Sequence, residues 1–257
     1  MLKKIIVQIF RVAWLEIRSI PTMQPPKPTI ESSFPVEASP FERELISQAS
    51  KYSMTSTVRM WALIQAFMHV QENNILGDYV ECGVWKGGNL ILLSSLQESI
   101  GASRTIYGFD TFSGMTTPTD YDVDYRGNLA SEMMQTETKI DGENSIHCLA
   151  SFALVNKNLQ DNNAKNIKLI EGDVAITLKQ SKNLPEKIAI LRLDTDWYES
   201  TKVELESLYP LLEPGGVLII DDYGHFTGAQ KAVDEYFKGK GIWMHYVDYT
   251  CRLVIKK

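Results

Sequence analysis

The chain has 257 residues, enough for one sizeable α/β domain or two small ones with a real buried core. Hydrophobic residues at 44% and charged residues at 23% are the proportions of a folded chain, and they exclude disordered, collagen-like and coiled-coil classes. A formal net charge of −6 offers no broad positive field to a phosphate backbone, so nucleic acid is not an expected partner.

In residues 1–20, Lys3 and Lys4 precede an apolar stretch, as in a signal peptide. Gln8, Arg11, Glu16 and Arg18 interrupt it, which leaves neither a clean hydrophobic region nor a membrane span. Ile6, Ile9, Phe10, Ala13 and Ile17 keep helical spacing. This predicts an amphipathic helix that packs on its own domain or on a second subunit, with a membrane-surface role as the sharper alternative. Pro21, Pro25, Pro26, Pro28 and Pro35 then block helix propagation and mark a linker. The expected organisation is an arm and linker over 1–40 and one domain over 41–257. Cys82, Cys148 and Cys251 are odd in number and far apart, neither a disulfide framework nor a zinc spacing, which points to a reducing, cytoplasmic setting.

From residue 41 onward, helical patterns fit 41–50, 56–72, 88–98, 150–160, 200–212 and 228–237. Strand-like runs fit 78–82, 105–109, 167–170, 188–193, 217–220, 244–247 and 253–255. This alternation predicts βαβ units and a mostly parallel sheet covered by helices on both faces. The last two strands have no helix between them, so an antiparallel strand is expected near one edge. In such sheets ligands bind beyond the carboxyl ends of the strands.

The first strand runs into Glu81-Cys82-Gly83-Val84-Trp85-Lys86-Gly87-Gly88-Asn89. The glycines permit a tight turn and close approach to a ligand, but the spacing is not the G-x-G-x-x-G of a dinucleotide site. The second strand ends at Asp110, where an acid suits the two hydroxyls of a ribose. Together these favour a nucleoside ligand without a diphosphate. S-adenosylmethionine fits, with its amine near Glu81 or the glycine loop and its ribose on Asp110. Asp173, after the third strand, is placed either to reach an adenine or in a solvated loop. Cys82 reads as a small core residue.

The densest signal is a pair of acidic strand ends. Asp194-Thr195-Asp196 follows 188–193, and Asp221-Asp222 follows 217–220. Consecutive strands usually lie side by side, so four carboxylates are expected at one rim. Four like charges raise each other's pKa values, and a divalent cation resolves the conflict. All-oxygen ligation favours Mg²⁺, with Mn²⁺ or Ca²⁺ as substitutes. Asp194, Asp221 and Asp222 are the expected metal ligands, and Asp196 the general base that deprotonates a chelated sugar hydroxyl before in-line methyl transfer. Alternation puts Asp194 and Asp196 on one side, so their roles are exchangeable. The same acids would otherwise cap helices, as Asp196 or Ser200 would near residue 200. His225 reads as a base, a substrate contact or a hydrogen-bonded loop histidine.

With these residues laid out, the sequence resembles the macrocin-type sugar O-methyltransferases of macrolide, mycinamicin and novobiocin biosynthesis. The likeness is carried by Met54-Thr55-Ser56 with Arg59, by the segments 80–88 and 108–115, by 193–201, and by Pro214-Gly215-Gly216 through Asp221-Asp222-Tyr223. Gly228 and Ala232-Val233-Asp234 extend it. The resemblance implies a Rossmann-like class I S-adenosylmethionine-dependent methyltransferase fold, S-adenosylmethionine as donor, Mg²⁺ as activator and a small sugar-containing acceptor. Its metal triad maps onto Asp194, Asp221 and Asp222, and its base onto Asp196. Its donor site maps onto Thr55 and Ser56, onto Glu81, Gly83, Val84, Trp85, Lys86, Gly87 and Gly88, onto Asp110 with Thr111, Phe112 and Ser113, onto Asp173 with Val174, and onto Asp194. A homo-oligomer, a dimer in the first instance, and no membrane span are expected.

Two segments depart from the family pattern: the proline-rich arm, and the acidic stretch 116–146. A connection that long beside a site is a lid, a substrate wall or a mobile loop, with Tyr121, Tyr125, Met133 and Met134 as wall candidates. Among rival functions, a metal-dependent glycosyltransferase would use Asp194-Thr195-Asp196 as a D-x-D motif, but leaves the glycine turn and Asp110 without a task. An aspartyl-phosphate hydrolase or a nucleoside-binding scaffold fits less of the pattern.

Overall fold

The computed structural model describes residues 34–257, so the amphipathic reading of residues 1–20 lies outside the described residues. Helix α1 (Pro40–Ala49) starts at a capping box, in which Ser39 and Glu42 satisfy each other's backbone amides and Pro40 presets the first turn. Helix α2 (Thr57–Glu72) is capped by Ser56, and α3 (Gly88–Ile100) lies between two left-handed glycines, Gly87 and Gly101. Ser151 caps α5 (Phe152–Asp161). Helices α7 (Tyr198–Leu208) and α8 (Thr227–Phe237) follow the two acidic strand ends.

Strands β1 (Asp78–Cys82), β2 (Ile106–Asp110), β3 (Ile167–Glu171), β4 (Ile188–Leu193), β5 (Leu212–Ile220), β6 (His245–Tyr246) and β7 (Arg252–Ile255) form one sheet in the order β3-β2-β1-β4-β5-β7-β6. The first five are parallel, and β7 is antiparallel to both neighbours, as expected from the missing crossover helix. Strand β5 begins earlier than the 217–220 run, because Glu213-Pro214-Gly215-Gly216 is absorbed where the register against β4 shifts. The proline and glycines look like a turn in the sequence, but the neighbouring strand holds them in the sheet.

All six residues of β4 are buried, the mark of a central strand covered on both faces. In β5, Val217 and Ile219 pack toward α1, α2 and α3, while Leu218 and Ile220 pack toward α7 and α8. The helices therefore lie on both faces, and the sheet's carboxyl edge is left for chemistry. Two further helices sit on that side: α4 (Ala130–Thr136), within the long acidic stretch, and the single turn α6 (Val174–Thr177), after β3. Neither is apparent in the sequence, since both are too short for a periodicity.

Candidate functional site

The sheet's hydrogen bonding continues one residue past its strands. Gly83 donates to the Phe109 carbonyl, Asp194 to Cys82 and Asp221 to Leu193, each at 2.9 Å. Glycine turn and acidic ends thus lie side by side at one rim. Gly83 has φ of 86°, and a Cβ there would sit 1.9 Å from the Asp194 carbonyl oxygen, so only glycine allows β1 and β4 to end this close together.

The turn is built around Asp110. Its Oδ2 accepts from the amides of Val84 at 2.8 Å and Trp85 at 3.0 Å, and its Oδ1 from the Phe112 amide at 2.8 Å. Burial raises its pKa against these three donors. Trp85 and Phe112 hold positive φ to aim their amides at it. Oδ2 is thereby saturated, Oδ1 keeps a further lone pair, and Asp110 borders a cavity of about 460 Å³.

This one cavity runs from the glycine turn to the aspartates. Of the expected donor-site residues, Thr55, Gly83, Val84, Trp85, Asp110, Thr111, Asp173, Val174 and Asp194 line it. The structure does not bring the others there. Ser56 caps α2 and accepts from Arg59 Nε at 3.2 Å. Glu81 turns into the protein beneath, where it pairs with Arg192 at 2.7 Å and accepts from Asn89 at 2.9 Å. Burial lifts its pKa to about 6 against the Arg192 charge. Gly87 and Gly88 are buried behind the turn: a Cβ on Gly88 would meet the Ala49 carbonyl at 2.6 Å, so that glycine serves helix packing. Lys86 lies over the Trp85 ring, Phe112 packs edge-on against Phe152, and Ser113 is exposed. Asp173 borders the cavity and caps α6 by accepting from the Ala175 amide at 2.8 Å.

Asp194, Asp196, Asp221 and Asp222 all line the same cavity. Carboxylate oxygens of Asp194, Asp196 and Asp222 lie within 4.8 Å of one another. Asp221, expected in that trio, instead spends its oxygens on arginines: Oδ1 accepts from Arg59 at 2.5 Å and Oδ2 from Arg192. The reason is electrostatic. Burial alone would raise the Asp221 pKa, but the Arg192 and Arg59 guanidiniums outweigh it and hold the group below its usual value. Its neighbours go the other way. Burial and the facing carboxylates raise Asp194 and Asp222 well above the ordinary range, and burial with Asp194 and Asp221 nearby lifts Asp196 to about 7. Asp222 Oδ2 is buried without a hydrogen-bond donor, and the carboxyl faces that of Asp196. Such a pair is satisfied only by a shared proton or a cation.

Asp196 holds φ of 65°, uncommon outside glycine, and its turn is fixed from outside. Trp197 Nε1 donates to the Thr116 carbonyl at 3.0 Å, and the Tyr198 amide donates to Asp122 Oδ1 at 2.8 Å. Asp122, fully buried, thereby caps α7 from a distant segment. Residues of 116–146 form one wall: Thr116, Met133, Glu137, Asn144, Ser145 and Ile146 border the cavity. Met134 packs behind against Trp197 and Phe226, while Tyr121 and Tyr125 are exposed. Sequence reading did not single out Arg192. Its signal is a lone charge in the otherwise apolar run Ile188-Ala189-Ile190-Leu191-Arg192-Leu193. In the fold that charge touches Glu81, Asp194 and Asp221.

The family model described as macrocin O-methyltransferase matches residues 35–255. Demethyldecarbamoylnovobiocin O-methyltransferase of Streptomyces niveus is 31% identical over 194 residues, 73% of this chain and 68% of the relative. The 8-demethyl-8-(2,3-dimethoxy-alpha-L-rhamnosyl)-tetracenomycin-C 4'-O-methyltransferase of Streptomyces olivaceus is 29% identical over 74% of this chain and 69% of its own length. Among solved structures, the O-methyltransferase NovP superposes with a TM-score of 0.68 at 27% identity, covering 80% of this chain and 82% of that one. The calicheamicin methyltransferase CalS11 shares the fold, with a TM-score of 0.60 at 18% identity over 90% and 98% of the two chains. The chain belongs to the macrocin O-methyltransferase family and is an O-methyltransferase with the class I S-adenosylmethionine-dependent methyltransferase fold.

Proposed function

We propose that this enzyme moves the methyl group of S-adenosylmethionine to a sugar hydroxyl of a small glycosylated acceptor, assisted by Mg²⁺ at the aspartate cluster. The observation that carries the reading is the single cavity that joins Asp110 and the glycine turn to four aspartates. The rhamnosyl group in one relative's acceptor supports the sugar class, and so does the match to the family as a whole.

The residues fit both groups. Asp110, locked by three amides, presents the remaining lone pair of Oδ1 where a ribose diol would lie. Raised pKa values at Asp194 and Asp222, and the donorless Oδ2 of Asp222, mark carboxylates that a hard cation would relieve. Asp194 and Asp222 would hold the ion. Asp221 is the third ligand in this proposal, because Arg59 and Arg192 keep it ionised and fixed while each oxygen retains a lone pair. Asp196 holds a proton up to about pH 7, a property suited to the base that takes the acceptor's proton. A bound divalent cation would supply charge neutralisation for a hydroxyl that is losing its proton. The wall from 116–146 and the buried Trp197 shield the reacting end from water.

Calorimetric titration with S-adenosylhomocysteine, compared with a nucleotide-sugar, tests the donor. Binding of the former alone is expected, and none at millimolar concentration would overturn the reading. Mn²⁺ titration followed by electron paramagnetic resonance tests the ligand roles. Asp196→Asn should keep Mn²⁺ affinity near wild type and lose turnover, whereas Asp221→Asn should lose Mn²⁺. The reverse pattern would exchange the two residues.

A further inference from the structure

At the mouth of the cavity three aromatic rings converge from three separate segments. Tyr125 comes from the 116–146 wall, His225 from the loop after β5, and Tyr249 from the β6–β7 turn. Their centroids lie 5.2 Å (Tyr125–His225), 5.6 Å (Tyr125–Tyr249) and 5.9 Å (His225–Tyr249) apart, with planes inclined by about 60° to one another. We propose that Tyr249, backed by His225 and Tyr125, is the stacking face for the acceptor's neutral sugar ring. This rests on the function proposed above and adds where the sugar sits.

The cluster is held together by specific backbone features. Gly224 lets the β6–β7 turn close down: a Cβ there would lie 1.8 Å from the Tyr249 carbonyl oxygen, and the Gly224 amide donates to the Thr250 carbonyl at 2.8 Å. An antiparallel bridge between Asp124 and Phe226 joins the wall to the loop that carries His225. The polar tips are already engaged. Tyr249 Oη and His225 Nδ1 are 3.0 Å apart, and Arg126 Nε donates to Tyr125 Oη at 2.8 Å. Tyr125 and Tyr249 remain 53% and 52% exposed, so what they offer to solvent is mainly ring.

His225 and Tyr249 border the same cavity as Asp194 and Asp222. A pyranose has hydroxyl edges and a face of C–H groups with partial positive charge, and that face suits the electron-rich plane of a tyrosine. With one hydroxyl directed to the aspartates, the ring would lie against Tyr249.

Saturation-transfer NMR on the full chain, with S-adenosylhomocysteine, Mg²⁺ and methyl α-L-rhamnopyranoside as probe, tests this. Saturation of the sugar's ring C–H protons is expected for the wild type and for Tyr249→Phe. Tyr249→Ala should weaken glycoside binding about 3- to 10-fold, the worth of one aromatic contact, and Tyr125→Ala should weaken it less. S-adenosylhomocysteine affinity and melting temperature should stay at wild-type values in all three variants. Undiminished saturation in Tyr249→Ala would overturn the proposal, as would a wild type that binds S-adenosylhomocysteine but transfers no saturation to the glycoside. A wild type that fails to bind S-adenosylhomocysteine would instead overturn the underlying function.

Discussion

Arg192 sits on the central strand with 3% exposure and touches three carboxylates and the Thr55 hydroxyl. A buried ion network is a weak source of net stability, but removing one member strands the rest. Arg192→Leu should therefore destabilise the fold by about 3–5 kcal/mol in urea unfolding, since Glu81 and Asp221 would remain buried without their shared cation. Glu204, fully buried on α7, is a second residue of this kind. One oxygen accepts from the Thr195 hydroxyl at 2.9 Å, the other has no partner, and burial lifts its pKa to about 8. Between its ordinary 4.5 and about 8 the folded state binds more protons than the unfolded one. Stability from this group is therefore full below pH 4.5 and lost as pH rises through 8. Glu204→Gln, neutral at every pH, should flatten that decline and exceed wild type at pH 8.5, by up to roughly 1.4 kcal/mol per unit of the shift. Equal slopes of unfolding free energy against pH in both proteins would count against this account.

Between elements, the tie from Asp122 to the start of α7 matters most. Trp197, the cap residue, offers no side-chain bond to the helix's first amides, and Asp122 supplies one from the wall. Gly228 makes room, because a Cβ there would lie 1.9 Å from Asp122 Oδ1. Asp122→Ala should cost about 1–2 kcal/mol, the range for a lost helix cap, and open residues 116–129 to limited proteolysis. Unchanged cleavage there would mean that the wall stands without the cap. Such a link is invisible in sequence, because its partners are 76 positions apart. A separation of 26 and 25 positions likewise hides the part of Asp110 that faces Val84 and Trp85. The strand-end acid stands out in sequence, whereas its three backbone donors appear only once Trp85 and Phe112 have turned to positive φ.

For the whole molecule, the sheet order β3-β2-β1-β4-β5-β7-β6 brings β1 and β4 together although more than 100 residues separate them. Everything the site does depends on that adjacency. Under the proposed function, ligands that bind only the folded chain stabilise it by mass action. S-adenosylhomocysteine at 100 times its Kd should add about 2.7 kcal/mol. For a domain of this size that raises Tm by roughly 5–10 °C in a thermal-shift assay. Mg²⁺ should add a separate increment that EDTA removes while the donor's increment persists. A Tm unmoved by saturating Mg²⁺ would argue against an ion at the aspartates. Among the described residues no helix is long and apolar enough to cross a membrane.

Local chemistry decided what the sequence alone determines here. Apolar runs, glycine turns and capping residues act over a few positions, so the alternating strands, the antiparallel last strand and the positions of the acids are legible without coordinates. Side-chain direction and pairing are not, because they depend on which distant groups share a low-dielectric space. Only the tertiary structure turns Glu81 inward onto Arg192, commits Asp221 to two guanidiniums, gathers Asp194, Asp196 and Asp222, and folds 116–146 into a wall. A buried charge must find its counter-charge wherever the fold provides one, and that choice is made across the sheet rather than along the chain.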